Sequence, residues 1–176
     1  MFPLKDDIPT RRRPVVTVAI LLANVGVYLF QPVAFPSFQA SIFSLGLTPV
    51  EVVSGVDRWP PSLVPPAATL FTSMFTHGSL AHIGSNMLFL WIFGNNVEDD
   101  MGPVKFLIFY LLCGLGAAGA QIALGPGSDV PMVGASGAIA GVLGAYLLLY
   151  PHARVLALVP IFFFIQLVWV PAVIFL

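Results

Sequence analysis

The stretch that decides the fold is residues 77–97, HGSLAHIGSNMLFLWIFGNNV, which begins with polar side chains and continues as an apolar run without Asp, Glu, Lys or Arg. A bilayer core about 30 Å thick needs about 20 helical residues, so residues 80–97 are long enough to be a membrane span. His82 and Asn86 are four residues apart and lie on the same face of that helix. Polar groups are costly in hydrocarbon, so this pair predicts either a hydrogen bond between helices or a functional site.

The composition of the whole chain agrees with a membrane location. Only 9% of the 176 residues are charged and 58% are hydrophobic, whereas a soluble domain carries roughly 25% charged residues. Such a chain cannot cover a water-facing surface, and it lacks the basic face of a nucleic-acid binder. The composition therefore predicts an integral membrane protein whose partners include lipids and exclude nucleic acid.

Further uncharged stretches on both sides of residues 77–97 have a similar length. The segments show no alternation of apolar and polar residues, and five long apolar strands could not close a barrel. We therefore expect an all-α, polytopic membrane helix bundle. The predicted spans are residues about 14–33, 80–97, 106–124, 133–150 and 155–176.

Basic residues lie mainly on one side of the predicted membrane. If the N-terminal tail 1–13 is inside, six of the seven Lys and Arg residues are inside as well. Arg58 lies outside, in an external loop at about 34–79 whose prolines and aromatic residues predict a segment at the membrane interface. This asymmetry predicts a cytoplasmic N-terminus and a membrane domain over residues 14–176.

The fourth predicted span opens with Val-Gly-Ala-Ser136-Gly137, and it runs in the same direction as the second. Ser136 and His82 therefore begin their helices in the same, outer half of the bilayer. Gly137 and Gly141 form a small-xxx-small face that lets a neighbouring helix approach closely. Taken alone, Ser136 is a helix cap, a packing residue or a nucleophile.

Three elements of the sequence together match a family pattern. They are His77-x4-His82-x3-Asn86, the following Met-Leu-Phe-Leu-Trp-Ile-Phe-Gly-Asn-Asn-Val-Glu98-Asp99, and Gly134-Ala135-Ser136-Gly137. With these elements the sequence resembles the rhomboid family of intramembrane serine proteases. The resemblance implies a six-span core with Ser136 as nucleophile, and with His82 and Asn86 stabilising the oxyanion beside the backbone N–H of Ser136. His77 matches a further family position, for which we expect a structural role.

One element of the family pattern is missing. In rhomboids the general base is a histidine on the sixth span, whereas this chain ends at Leu176 in the predicted fifth span. The third histidine, His152, lies in an inner turn across the membrane from Ser136 and cannot act as the base. We therefore expect a fragment of a longer gene product, with the base beyond Leu176; the alternative is a naturally truncated, inactive form.

The remaining residues indicate little further chemistry. Glu98, Asp99 and Asp100 follow the second span and are expected to be solvated loop charges. Cys113 is the single cysteine and is expected to be a small buried hydrophobic residue. No sequence motif for a metal or a cofactor is present, so we expect neither.

The resemblance, together with the placement of Ser136, His82 and Asn86 at one level, implies an intramembrane serine endopeptidase that cleaves transmembrane segments of other membrane proteins near the outer face. The alternative is a catalytically inactive rhomboid-like protein that binds transmembrane helices. A small transporter is disfavoured because the predicted spans contain no carboxylate or basic residue and no paired broken helices. The compact form, without an appended soluble domain, predicts a bacterial cytoplasmic membrane protein; no feature specifies an oligomeric state.

Overall fold

A computed structural model describes residues 1–59, 62–161 and 164–176. The described chain is mostly helical, with one small sheet. The helices are α1 (Val15–Ala34), α2 (Phe38–Leu45), α3 (Pro49–Ser54), α4 (Thr69–Thr72), α5 (Leu80–Phe89), α6 (Asn95–Met101), α7 (Pro103–Leu124), α8 (Ser136–Leu149) and α9 (Ala172–Phe175). The strands are β1 (Phe2–Asp6), β2 (Arg154–Ile161) and β3 (Phe164–Pro171). A 3-10 turn covers Pro66–Ala68 and a π turn covers Leu90–Gly94.

Helices α1 and α7 are long and apolar enough to cross a membrane. Their most apolar windows have a mean hydropathy of 1.8 and 1.9, and only 22% and 17% of those windows is buried inside the protein. A helix of similar composition in the core of a soluble protein would be mostly buried. The exposed apolar faces of α1 and α7 therefore fit contact with lipid.

The second predicted span is one continuous helical rod. α5, the π turn and α6 follow one another without a gap, and Leu90 and Asn95 at the two junctions keep helical φ and ψ angles. The helix begins at Leu80, as predicted, and continues beyond residue 97 to Met101. Gly94 lies against α1, since a Cβ added there would be 3.5 Å from Thr17 Cγ2.

Helix α8 packs closely on α7 through small residues. A Cβ added to Gly137 would lie 2.5 Å from Ala117 Cβ, and one added to Gly141 would lie 2.3 Å from Cys113 Sγ. The predicted small-residue face is therefore confirmed at these two glycines. With 14 residues, α8 is shorter than the expected span, and residues 131–135 reach it as non-helical chain.

The prediction of a helix over residues 155–176 is wrong. β2 and β3 form an antiparallel hairpin, β1 pairs with the other edge of β2, and the short helix α9 follows. The segment is rich in β-branched and aromatic residues, which favour strands, and Pro160 and Pro171 have no N–H to donate within a helix. Residues 162–163 of this predicted span, like residues 60–61 of the external loop, lie outside the described residues.

The expectation of a solvated charge is wrong for Glu98. Glu98 is buried, and its carboxylate accepts the backbone N–H groups of Val16 (2.9 Å) and Thr17 (2.7 Å) and the Thr17 hydroxyl (2.7 Å). Asp99 accepts two backbone N–H groups from the N-terminal tail. The first N–H groups of a helix have no partner within it, so Glu98 caps α1. Asp100 is exposed, as expected.

Candidate active site

Ser136 is the first residue of α8, and its side chain is exposed. It borders an open cleft of about 220 Å³ between α5 and α8, which Asn86, Phe89 and Ile139 also line. The backbone N–H of Ser136 is one of the four at the start of α8 that have no acceptor within the helix. The serine hydroxyl thus lies beside a free backbone donor and an accessible space.

His82 and Asn86 project from α5 toward the backbone just before Ser136. Gly134 has a φ of +113°, and a Cβ added there would lie 2.6 Å from His82 Nε2 and 3.4 Å from Asn86 Nδ2. Glycine is therefore required at this position both for its backbone conformation and for space. The structure brings the three predicted site residues together at one end of α5 and α8.

Helix α5 begins at a position that directs His82 into this site. The Ser79 side chain caps the helix by accepting the backbone N–H of His82 at 3.1 Å. The backbone N–H of Gly78 points to Nδ1 of the His82 ring at 3.5 Å. Since Nδ1 accepts, the proton of the neutral ring is placed on Nε2, the nitrogen that faces Gly134.

Asn86 is held by His77, for which the sequence predicts a structural role. Its side-chain Nδ2 donates to His77 Nε2 at 3.0 Å. The opposite ring nitrogen of His77, Nδ1, donates to the carbonyl of Phe75 at 3.2 Å. His77 is fully buried, and the two bonds give it the tautomer opposite to that of His82.

The surroundings of His77 keep its ring neutral. Burial, and next the charge of the neighbouring His82, lower the pKa of His77 to about 4. The two rings meet edge to face, with centroids 5.1 Å apart. At neutral pH His77 therefore keeps an unprotonated Nε2 that can accept the Asn86 amide.

His152 lies at the opposite end of α8 from Ser136. It is exposed in the turn between α8 and β2, and a helix of 14 residues is about 21 Å long. This placement agrees with the prediction that His152 does not serve Ser136.

Sequence reasoning missed Gln31 of α1. Its side chain is fully buried and bonds to the backbone of His77 and to Ser41 of α2. The signal was available, because Gln31 is a polar residue inside the first predicted span.

The fold and this site define an integral membrane protein with a serine, an imidazole and a carboxamide at one end of two packed helices. The Rhomboid domain model matches residues 65–176, more than half of the chain. The chain belongs to the rhomboid family, as its motifs predict.

Curated relatives include a bacterial protein and mitochondrial proteins of yeast and a plant. The chain is 35% identical over 97 residues to Rhomboid protein 1, mitochondrial, of Saccharomyces cerevisiae, covering 52% of this chain and 28% of that protein. It is 41% identical over 78 residues to Rhomboid protease GluP of Bacillus subtilis, covering 44% and 15%. It is 29% identical over 154 residues to RHOMBOID-like protein 12, mitochondrial, of Arabidopsis thaliana, covering 78% and 42%. The chain thus spans less than half the length of each of these relatives.

Proposed function

We propose that the protein is an intramembrane serine endopeptidase that cleaves transmembrane segments of other membrane proteins near the outer face of the membrane. The observation that carries this proposal is the convergence of His82 Nε2 and Asn86 Nδ2 on Gly134, two residues before a serine that borders an open cleft. Donors in such an arrangement can stabilise negative charge that develops on a substrate carbonyl. Membership of the rhomboid family, which includes a relative named as a protease, supports the same reaction.

The reaction begins with attack of Ser136 Oγ on the scissile carbonyl carbon. The carbonyl oxygen becomes an oxyanion and accepts hydrogen bonds from the Ser136 backbone N–H, from His82 Nε2 and from the second N–H of Asn86. Collapse of the tetrahedral intermediate expels the amine and leaves an acyl-enzyme, which water then hydrolyses. A base must take the serine proton and return it to the amine; by resemblance to the family this is a histidine beyond Leu176.

The substrate is a transmembrane helix that unwinds locally at the cleft. A helical peptide bond has its carbonyl hydrogen-bonded and shielded, so it must leave the helix before Ser136 can attack. Substrates with glycine or other helix-breaking residues near the cut should react faster, because they unwind at a lower free-energy cost. The positive-inside pattern supports a cytoplasmic N-terminus, and we propose a bacterial cytoplasmic membrane as the location.

The test is covalent labelling of the purified full-length protein with a fluorophosphonate, which reacts with activated serines. We expect wild-type protein to be labelled and to cleave a model transmembrane substrate, and Ser136→Ala to do neither. Ser85→Ala is the matched control, because Ser85 borders the same cleft but its hydroxyl donates to the His82 carbonyl at 3.0 Å. Equal labelling of wild type and Ser136→Ala would exclude Ser136 as the nucleophile.

A second candidate is a non-catalytic rhomboid-like protein that binds transmembrane helices. Relatives named as rhomboid-like proteins, such as RHOMBOID-like protein 12 of Arabidopsis thaliana, support this candidate. The coding sequence after codon 176 discriminates the two. A further span with a histidine near its outer end supports the protease, whereas a stop codon supports the binding protein.

A further inference from the structure

We propose that His77 is a positioning residue that holds the Asn86 carboxamide in the orientation that donates to the oxyanion, and that Gln31 of α1 in turn holds His77. This inference rests on the proposed protease function and assigns His77 a role in it. It connects the first helix of the chain to the oxyanion site through buried hydrogen bonds.

The orientation of the Asn86 amide depends on what its two ends meet. His77 Nε2 is an acceptor and lies 3.0 Å from Asn86 Nδ2, so the NH₂ end of the amide must face it. The second hydrogen of that NH₂ group does not bond to His77. Nδ2 also lies close to Gly134, since a Cβ added to Gly134 would be 3.4 Å from it. If the amide turned over, its carbonyl oxygen would face this region and would repel an oxyanion.

The position of His77 is fixed by a reciprocal pair of hydrogen bonds from Gln31. The His77 backbone N–H donates to Gln31 Oε1 at 3.2 Å, and Gln31 Nε2 donates to the His77 carbonyl at 3.2 Å. Gln31 Nε2 also donates to Ser41 Oγ at 2.9 Å, and Ser41 Oγ donates to the Phe38 carbonyl at 2.6 Å. The series Ser41, Gln31, His77 and Asn86 therefore links α2, α1 and α5.

Burial makes this series sensitive to the loss of one member. Ser41, Gln31 and His77 have no exposed surface, and Asn86 has 8%. Hydrogen bonds in such surroundings are strong, and an unpaired polar group is costly. If the Nε2 acceptor is removed, no hydrogen bond to His77 favours the orientation in which the Asn86 NH₂ group faces it.

Two substitutions at His77 separate the acceptor from the rest of the side chain. The side chain of Gln is long enough to place its amide oxygen near the position of Nε2. The shorter side chain of Asn can place its amide NH₂ only near the position of Nδ1, where it can donate to the Phe75 carbonyl. We expect His77→Asn to lower kcat by about 10- to 100-fold with little change in KM, which is less than the ~10²–10³ loss for removing an oxyanion donor itself. His77→Gln should recover most of this loss.

Rates are measured on full-length protein and divided by the number of fluorophosphonate-reactive sites, so that loss of folded protein is corrected for. Gln121→Leu is the control for removing a polar side chain from a helix, because Gln121 is exposed on α7. Equal kcat values per site for His77→Asn and His77→Gln would overturn the proposal.

A double-mutant cycle with Asn86→Ala tests whether His77 acts through Asn86. If it does, His77→Asn should reduce the rate of Asn86→Ala by less than about threefold. A full, multiplicative loss in that background would show a merely structural effect and overturn the inference. Ser136→Ala separates the two proposals: if it keeps activity, Ser136 is not the nucleophile and the proposed serine mechanism fails, and if it abolishes activity while His77→Asn matches wild type, only the role of His77 fails.

Discussion

Two buried polar clusters lie at opposite ends of the helices and are built from different groups. The cluster at the start of α5, named the outer cluster after the proposed orientation, consists of neutral side chains: Gln31, His77, His82 and Asn86. The cluster near the end of α6, named the inner cluster in the same way, uses carboxylates. Glu98 accepts three hydrogen bonds from the start of α1, and Asp6 accepts from Tyr146 and Asn96.

The clusters also differ in whether their key hydrogen-bonding groups already have partners within the protein. The carboxylate oxygens of Glu98 are all bonded to protein donors, and the residue has 3% exposed surface. In the outer cluster, no acceptor among the described residues lies within hydrogen-bond distance of His82 Nε2, which faces Gly134. A carboxylate whose two oxygens are both bonded, as in Glu98, stabilises the fold, whereas unused donors beside a cleft can act on a substrate.

The largest expected effect is on activity at the outer cluster. Asn86→Ala removes a proposed oxyanion donor and should lower kcat by about 10²–10³. Cleavage of a model transmembrane substrate by full-length protein measures this loss, with the rate expressed per fluorophosphonate-reactive site. If Asn86→Ala cleaves as fast as wild type while Ser136→Ala is inactive, the oxyanion role belongs to other groups.

The matching change at the inner cluster should affect stability instead. Glu98→Gln replaces one acceptor oxygen with an NH₂ group that would face the N–H groups at the start of α1, and hydrogen bonds to charged groups contribute about 1.5–3 kcal/mol each. We expect the free energy of unfolding to fall by roughly 2–3 kcal/mol, measured by denaturation in mixed micelles.

Activity per reactive site should not change in Glu98→Gln. Asp100→Asn is the control, because Asp100 is an exposed carboxylate on the same helix. A loss of turnover per site in Glu98→Gln that exceeds the loss in Asp100→Asn would contradict the division between a stabilising and a reactive cluster.

The sequence predicts the site residues of the outer cluster better than the hydrogen bonds that hold them in place. His82 and Asn86 could be paired because helical spacing places i and i+4 on one face, and the direction of the spans placed Ser136 at the same level. Gln31 lies 46 residues from His77 and Glu98 lies 81 residues from Thr17. No local pattern predicts such pairs, because they form only when the helices pack.

The hairpin was missed for a different physical reason. A continuous apolar run can be a helix or a buried strand, and periodicity does not distinguish the two. Residues 155–176 have the length of a span, so length favoured a helix. Pairing of β2 with both β1 and β3 depends on residues at the other end of the chain, which the local sequence does not reveal.

The pH dependence of stability should differ between the clusters. The folded pKa of His77, about 4, is below its ordinary value of 6.5, so the unfolded chain binds a proton first as the pH falls. The stabilisation by neutral His77 is complete above pH 6.5 and decreases toward pH 4, with a loss of about 2 kcal/mol at pH 5. Comparing wild type with His77→Gln between pH 7.5 and 5 isolates this effect; parallel stability curves would rule it out.

Asp6 should produce the smallest effect and the opposite sign. Burial raises its pKa, while the hydrogen bond from the Tyr146 hydroxyl lowers it by less. A raised folded pKa favours the protonated form, so the contribution of Asp6 is fully present below its ordinary pKa of 3.8 and is lost as the pH rises through the higher folded value. Asp6→Asn keeps an acceptor for Tyr146 without the charge. We expect it to change the free energy of unfolding at pH 7 by no more than about 1 kcal/mol and to remove the contribution of Asp6 to the pH dependence, which is a decrease from pH 4 to 7 superimposed on the larger increase due to His77. Asp7→Asn, the matched control on the neighbouring residue, should keep that decrease; if Asp6→Asn keeps it too, Asp6 is not its source.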